Sequence, residues 1–155
     1  METEEEILFE EQPPHAVAKG DRPVSDVVTF MIIGLGGFAG ANARYLIGRA
    51  ALQRWGPAFP YGTLIINVAG CFVLGLFGTL AERLAWNDAW RLVIAVGFLG
   101  AFTTFSTFEY ETFHLVTAGS LARAGANILL SVAVGFAAVA GGVLIARAIL
   151  KCCGG

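Results

Sequence analysis

Four long apolar stretches constrain the fold of this chain more than any other feature. They span residues 27–50, 62–84, 89–117 and 121–150. A helix that crosses the hydrocarbon core of a bilayer needs about 20 predominantly apolar residues, and each stretch is long enough. Only 14% of the residues are charged, against 56% that are hydrophobic. The sequence therefore predicts an all-α, multi-pass protein with four transmembrane helices, which lies in the lipid bilayer of the cell (inner or plasma) membrane.

The first 26 residues differ in composition from the rest of the chain. They carry eight acidic and two basic residues, whereas residues 27–155 carry four acidic and eight basic residues. A segment with so many charges and so few apolar residues cannot bury enough surface to fold alone. We predict a disordered acidic tail at 1–26, a transmembrane domain at 27–151 and a short C-terminal end at 152–155. We expect no nucleic-acid partner.

The basic residues outside the tail are divided evenly between the two ends of the predicted helices. Four spans bring both termini to the same side of the membrane. That side carries Arg83, Arg91, Arg147 and Lys151, and the other side carries Arg44, Arg49, Arg54 and Arg123. An excess of Lys and Arg normally fixes which side stays in the cytoplasm. A chain this balanced is compatible with insertion in either orientation.

The third apolar stretch contains hydroxyl groups that a lipid-facing helix would avoid. Four hydroxyl residues occur within five positions, with a phenylalanine at every third position around them and two glycines before them. The hydroxyl residues are Thr103, Thr104, Ser106 and Thr107. Such a segment is tolerated at membrane depth only where it faces protein or a watery path. The pattern predicts part of a conduction pathway, and because four helices are too few to enclose a pore, transport would require association.

Two other spans carry polar residues at helical spacing. Thr63 and Asn67 are four residues apart in the second span, as are Asn127 and Ser131 in the fourth. Residues at this spacing share one face of a helix. Polar residues in membrane helices either join helices by hydrogen bonds or line a pathway. For Asn67 both roles stay open, since its amide can bridge helices or donate an N–H to a passing ion.

Two ionisable residues near the ends of spans also allow two interpretations each. Arg44 either extends to the lipid headgroups or attracts anions into a vestibule. Glu111 follows Thr104 by seven residues, so it can lie on the hydroxyl-bearing face, although the membrane interface is also within its reach. The sequence shows no metal-ligand cluster, no nucleophile–base pair and no phosphate loop. We therefore do not expect an enzyme.

Three motifs together resemble the signature blocks of the CrcB/Fluc family of fluoride channels. They are GGFAGANAR at 36–44, GTLIIN at 62–67 and GFLGAFTTFSTF at 97–108. The third motif is highly specific, and the resemblance covers about residues 27–150 in order and at matching spacing. It implies a dual-topology homodimer of two antiparallel subunits, with two narrow fluoride pores along their interface.

The resemblance also implies roles for individual residues along the pore. Phe105 and Phe108 match the pore phenylalanines, Asn67 matches the amide beside the pore, and Arg44 matches the vestibule arginine. The remaining residues of the predicted pathway are Thr63, Ser106, Thr107, Glu111 and Ser131.

A structural cation is implied as well. The backbone carbonyls of Gly100 and Thr103 match ligands of a central sodium ion at a break in the third helix. In one respect the chain departs from the family, because a tyrosine of the fourth helix is replaced by Asn127.

Two other classes of protein fit the sequence less well than a channel. Small multidrug exporters are also antiparallel dimers of four-helix subunits, but they carry an essential glutamate in the first helix, and residues 27–50 contain none. A non-transporting packing subunit would not explain polar stripes on three spans.

Overall fold

The computed structural model describes residues 25–153 except Ala85, and all regular structure in that part of the chain is helical. Helix α1 is Asp26–Trp55 and α2 is Tyr61–Arg83. The third span comprises α3 (Asp88–Arg91), a π-helical segment (Leu92–Leu99), α4 (Gly100–Phe102) and α5 (Phe105–Thr117). The last helix, α6, is Leu121–Cys153. Four of these helical stretches are long and apolar enough to cross a membrane, which confirms the predicted spans. Residues 1–24 of the predicted acidic tail lie outside the residues that the structure describes.

Local sequence signals fix the ends of the helices. Ser25 caps α1, because its Oγ accepts a hydrogen bond from the N–H of Val28 at 3.4 Å. The same helix runs to Trp55, five residues beyond the predicted end, and stops where Gly56 adopts a φ of 71°. Gly119, with a φ of 74°, ends α5 in the same way, and the N–H of Ser120 bonds the carbonyl of Leu115 at 2.8 Å. Helix α6 extends past the predicted residue 150 to Cys153.

Glycines allow the helices to approach at backbone distance. A Cβ on Gly36 would overlap the carbonyl oxygen of Val93, and a Cβ on Gly40 would overlap that of Phe98. A Cβ on Gly75 of α2 would likewise overlap the carbonyl oxygen of Val139 in α6. Small residues at such positions are the usual device by which membrane helices pack closely. These contacts hold α1 against the first half of the third span and α2 against α6.

The two halves of the third span pack against different helices. Residues 88–102 contact mainly α1, whereas α5 contacts α6 and, to a lesser extent, α2. Between the halves, Thr103 has φ −79° and ψ 158°, and Thr104 has φ −152° and ψ 116°. Two extended residues therefore interrupt the helical backbone at the point where the span changes its packing partner.

Large apolar side chains on the outside of the helices face away from the protein. Phe30, Phe38 and Phe136 are each more than 70% exposed. The interior is small, and its best-packed part is formed by Ile66, Leu99 and Phe102. A surface of this kind is stable in hydrocarbon rather than in water, so the chain is a multi-pass membrane protein.

Candidate anion pathway

The hydroxyl groups at the interruption cap the two helix ends that it creates. The side chain and the backbone N–H of Thr103 both donate to the carbonyl of Leu99, at 2.9 and 3.0 Å. Oγ1 of Thr104 accepts the N–H of Thr107 at 3.3 Å and so acts as the N-cap of α5. The hydroxyl of Thr104 also donates to that of Thr107 at 2.9 Å. Part of the hydroxyl cluster thus has a local structural explanation.

Asn67 bonds the interruption through both ends of its amide. Its Nδ2 donates to the carbonyl of Thr104 at 3.0 Å, and its Oδ1 accepts the N–H of Thr104 at 2.8 Å. Backbone groups without partners at membrane depth cost several kcal/mol each, and this one side chain satisfies two of them. The amide therefore joins the second span to the third, which is one of the two roles that the sequence left open for it. One N–H of Nδ2 is not needed for this bridge.

A cavity of about 840 Å³ lies at the end of the bundle where α1 meets α2 and α5 meets α6. It carries three arginines, Arg44, Arg49 and Arg123, together with His114. Arg123 also donates to the carbonyl of Ala58 at 3.3 Å, which ties α6 to the connection between α1 and α2. Cations in a wide opening attract anions from solution without holding them tightly. Four of the predicted pathway residues line this cavity: Arg44, Thr63, Thr107 and Glu111.

A second cavity, of about 460 Å³, lies on the other side of the interruption. Its lining is mostly apolar, and the predicted pathway and ion-binding residues in it are Asn67, Gly100, Thr103, Phe105, Phe108 and Ser131. The rings of Phe105 and Phe108 lie 5.8 Å apart, centroid to centroid. Phe108 is 8% exposed, whereas Phe105 is 73% exposed on the surface of the single chain.

Thr104 lines both cavities, so the interruption separates them. Polar atoms beside each cavity are buried without a hydrogen-bond partner among the described residues: Oε2 of Glu111 and Oγ of Ser131. Buried polar atoms normally find partners, and unpaired ones beside a cavity are available to a ligand or to water. The arginines of the larger cavity can attract an anion, and the hydroxyl of Ser131 can donate to one in the smaller cavity, whereas Oε2 of Glu111 is an acceptor and is available to water.

Ser106 and Asn127 are not brought to either cavity. Ser106 is exposed on α5, so the structure gives it no place beside the other predicted pathway residues. Asn127, at the position of the family's tyrosine, is fully buried and bonds Thr112 instead. Sequence reasoning did not single out Gly70, where a Cβ would overlap the methyl group of Thr103. Gly70 follows Asn67 by three residues, so helical spacing alone could have placed it on the same face of α2.

Four long apolar helices around two cavities, the larger of which carries three arginines, define a multi-pass membrane protein. The chain belongs to the CrcB family: residues 31–143 match the model of the family described as "CrcB-like protein, Camphor Resistance (CrcB)". This confirms the resemblance of the three motifs.

Curated relatives carry one printed name, "Fluoride-specific ion channel FluC". One from Solibacter usitatus (strain Ellin6076) is 50% identical over 119 residues, which are 76% of this chain and 98% of that protein. One from Roseiflexus sp. (strain RS-1) is 47% identical over 121 residues, which are 77% of this chain and 98% of that protein. One from Rhizobium etli (strain CIAT 652) is 42% identical over 124 residues, which are 79% of this chain and 99% of that protein. The relatives are named as ion channels, which agrees with the expectation that this chain is not an enzyme.

Proposed function

We propose that this chain forms a fluoride channel that lets toxic fluoride leave the cell down its electrochemical gradient. The observation that carries the proposal is the match to fluoride-specific channels over almost their whole length. The two cavities support it, because nearly all residues predicted for the pathway line one or the other.

The lining chemistry suits a small, strongly hydrated anion. Fluoride must exchange its water for several donors at once, and conduction requires that this binding be favourable but weak. The spare N–H of Asn67 and the hydroxyl of Ser131 are neutral donors. The edges of the rings of Phe105 and Phe108 carry the positive rim of the aromatic quadrupole, so they can face an anion while excluding water.

We further propose that the functional unit is an antiparallel homodimer with two pores. Phe105 belongs to the predicted pathway and is largely exposed on the single chain, so a second copy would enclose it. The even division of Lys and Arg between the two ends favours insertion in both orientations, which such a dimer needs.

The interruption of the third span is, in this proposal, the break that holds a structural sodium ion. In a continuous α-helix the carbonyl of Gly100 would accept the N–H of Thr104, and that of Thr103 would accept the N–H of Thr107. Here those two N–H groups bond Asn67 and the Thr104 hydroxyl instead. The carbonyls of Gly100 and Thr103 therefore lose their usual helical donors beside the second cavity. Two antiparallel copies would supply four carbonyl oxygens, which suit a hard cation such as Na⁺.

Fluoride efflux from liposomes that contain the purified protein tests the proposed function. Wild-type protein should release trapped fluoride rapidly and chloride hardly at all. Replacing Phe108 with isoleucine removes an aromatic edge, and we expect about a two- to ten-fold loss of flux, since aromatic contacts are worth about 0.5–1.5 kcal/mol. The control, Phe113→Ile, changes a 65%-exposed phenylalanine of the same helix outside both cavities and should conduct normally. Wild-type liposomes that retain fluoride would refute the proposal.

Sodium content of the purified dimer tests the central cation. After dialysis against a large organic cation, we expect about one sodium ion per dimer to remain by atomic emission, because oxygen ligands enclose it on all sides. Fluoride flux should persist in the same buffer, since the ion serves the architecture and is not transported. A conducting protein free of sodium would overturn this part of the proposal and leave the channel function intact.

A further inference from the structure

A chain of hydrogen bonds runs from α6 to the pore phenylalanine through two buried side chains. Asn127 of α6 is 0% exposed, and its Nδ2 donates to Oγ1 of Thr112 in α5 at 2.8 Å. The hydroxyl of Thr112 in turn donates to the backbone carbonyl of Phe108 at 2.7 Å. Neither Asn127 nor Thr112 lines either of the two cavities described above, so both lie behind the predicted pathway.

The direction of these bonds follows from the number of protons available. A hydroxyl has one proton, and that of Thr112 goes to the Phe108 carbonyl, so its oxygen can only accept from the amide of Asn127. This orientation leaves Oδ1 of Asn127 without a partner among the described residues. The buried amide therefore makes its bond through Nδ2 while Oδ1 has none in the described part of the chain, and a bond of this kind favours one arrangement of the neighbouring helices.

Helix α5 depends on such contacts because it is not continuous with the first half of its span. The extended residues Thr103 and Thr104 disconnect its hydrogen-bond ladder from α4. The rotation of α5 about its own axis is therefore set by what it packs against, which is mainly α6. The bond from Asn127 holds α5 at Thr112, one helical turn after Phe108.

We propose that Asn127 and Thr112 are positioning residues that set the orientation of Phe108 and thereby the selectivity of the pathway. This inference rests on the proposed fluoride conduction. In this proposal Asn127 supports α5 through Thr112 and does not itself line the pore.

The ratio of fluoride to chloride efflux tests the proposal. Once the efflux from protein-free liposomes is subtracted for each ion, this ratio does not depend on how much protein is active. Thr112→Val keeps the shape of the side chain but removes the hydroxyl, and Asn127→Leu removes the amide. We expect each change to lower the ratio about three- to ten-fold, the range for loss of one hydrogen bond. The double variant should match the single variants, since both changes break one chain of bonds.

Two control variants separate positioning from general destabilisation. Thr112→Ser keeps the hydroxyl and should restore the ratio to within about two-fold of wild type. Thr79→Val removes a similar bond, from Oγ1 of Thr79 to the carbonyl of Gly75 at 2.8 Å, which joins no second helix. It should leave the ratio unchanged.

A wild-type ratio in folded Thr112→Val protein would overturn the proposal, as would multiplied effects in the double variant. If Asn127→Leu does not fold, the comparison of Thr112→Val with Thr112→Ser decides alone. Wild-type protein that passes no fluoride would instead remove the proposed function, and this inference with it. The two failures are therefore distinguishable.

Discussion

Fluoride efflux should fall at least about a hundred-fold when Asn67 is replaced by aspartate, because the change has two unfavourable consequences that act together. A carboxylate has no N–H, so the carbonyl of Thr104 loses its donor from Nδ2. The same change places a negative charge beside the second cavity. Repulsion between two unit charges about 4 Å apart is about 4 kcal/mol at the effective dielectric of a protein, and about 1.4 kcal/mol corresponds to a factor of ten.

The control for Asn67→Asp is the same substitution at Asn87, an exposed residue of the connection between α2 and α3 that lines neither cavity. Asn87 caps the next helix through its Oδ1, which accepts the N–H of Ala89 at 2.7 Å, and aspartate keeps that oxygen. We expect normal efflux from Asn87→Asp liposomes. Folded, dimeric Asn67→Asp protein with normal efflux would show that Asn67 lies outside the pathway.

A population held in one membrane orientation should conduct at least about ten-fold less fluoride than the wild type, because Lys and Arg set orientation and an antiparallel dimer needs both. One version carries Gln53→Lys and Ala122→Lys, which add charge to the end that holds the larger cavity. The opposite version carries Leu84→Lys and Asn87→Lys at the other end. All four positions are exposed in the structure.

Expression of the two oppositely biased versions together should restore efflux, since each supplies the orientation that the other lacks. A third version with one lysine at each end, Gln53→Lys and Asn87→Lys, adds the same charge without bias and should conduct as the wild type does. Orientation is checked by labelling cysteines from outside in intact cells. Full efflux from protein shown to lie in a single orientation would contradict the antiparallel dimer.

The four spans were predictable because hydropathy and length act locally along the chain. Each span falls close to its predicted range, and the largest error, at the end of α1, arose where Gly56 rather than polarity stops the helix. The bonds of the candidate site were not predictable in this way. Asn67 bonds a residue 37 positions away, and Asn127 bonds one 15 positions away. Helical spacing predicts which residues share one face of a helix, but it does not predict which neighbouring helix that face contacts.

Ser106 shows the same limit within a single span. Its neighbours Phe105 and Thr107 line the second and the first cavity, while Ser106 lines neither. Successive residues of a helix point about 100° apart, so a run of hydroxyls cannot all face one path. The two extended residues before α5 also shift the rotation of everything that follows them. Helical spacing counted through the interruption therefore does not give the face that a residue of α5 presents.

The pair of hydrogen bonds between Asn67 and Thr104 has a consequence for the order in which the chain is assembled in the membrane. The N–H and the carbonyl of Thr104 are satisfied by a side chain of the preceding span, not by their own helix. A third span inserted alone would expose both groups to hydrocarbon, at several kcal/mol each. Because α2 is synthesised first, its amide is already in the bilayer when the interrupted span arrives. We therefore expect the second span to act as an internal template for the insertion of the third.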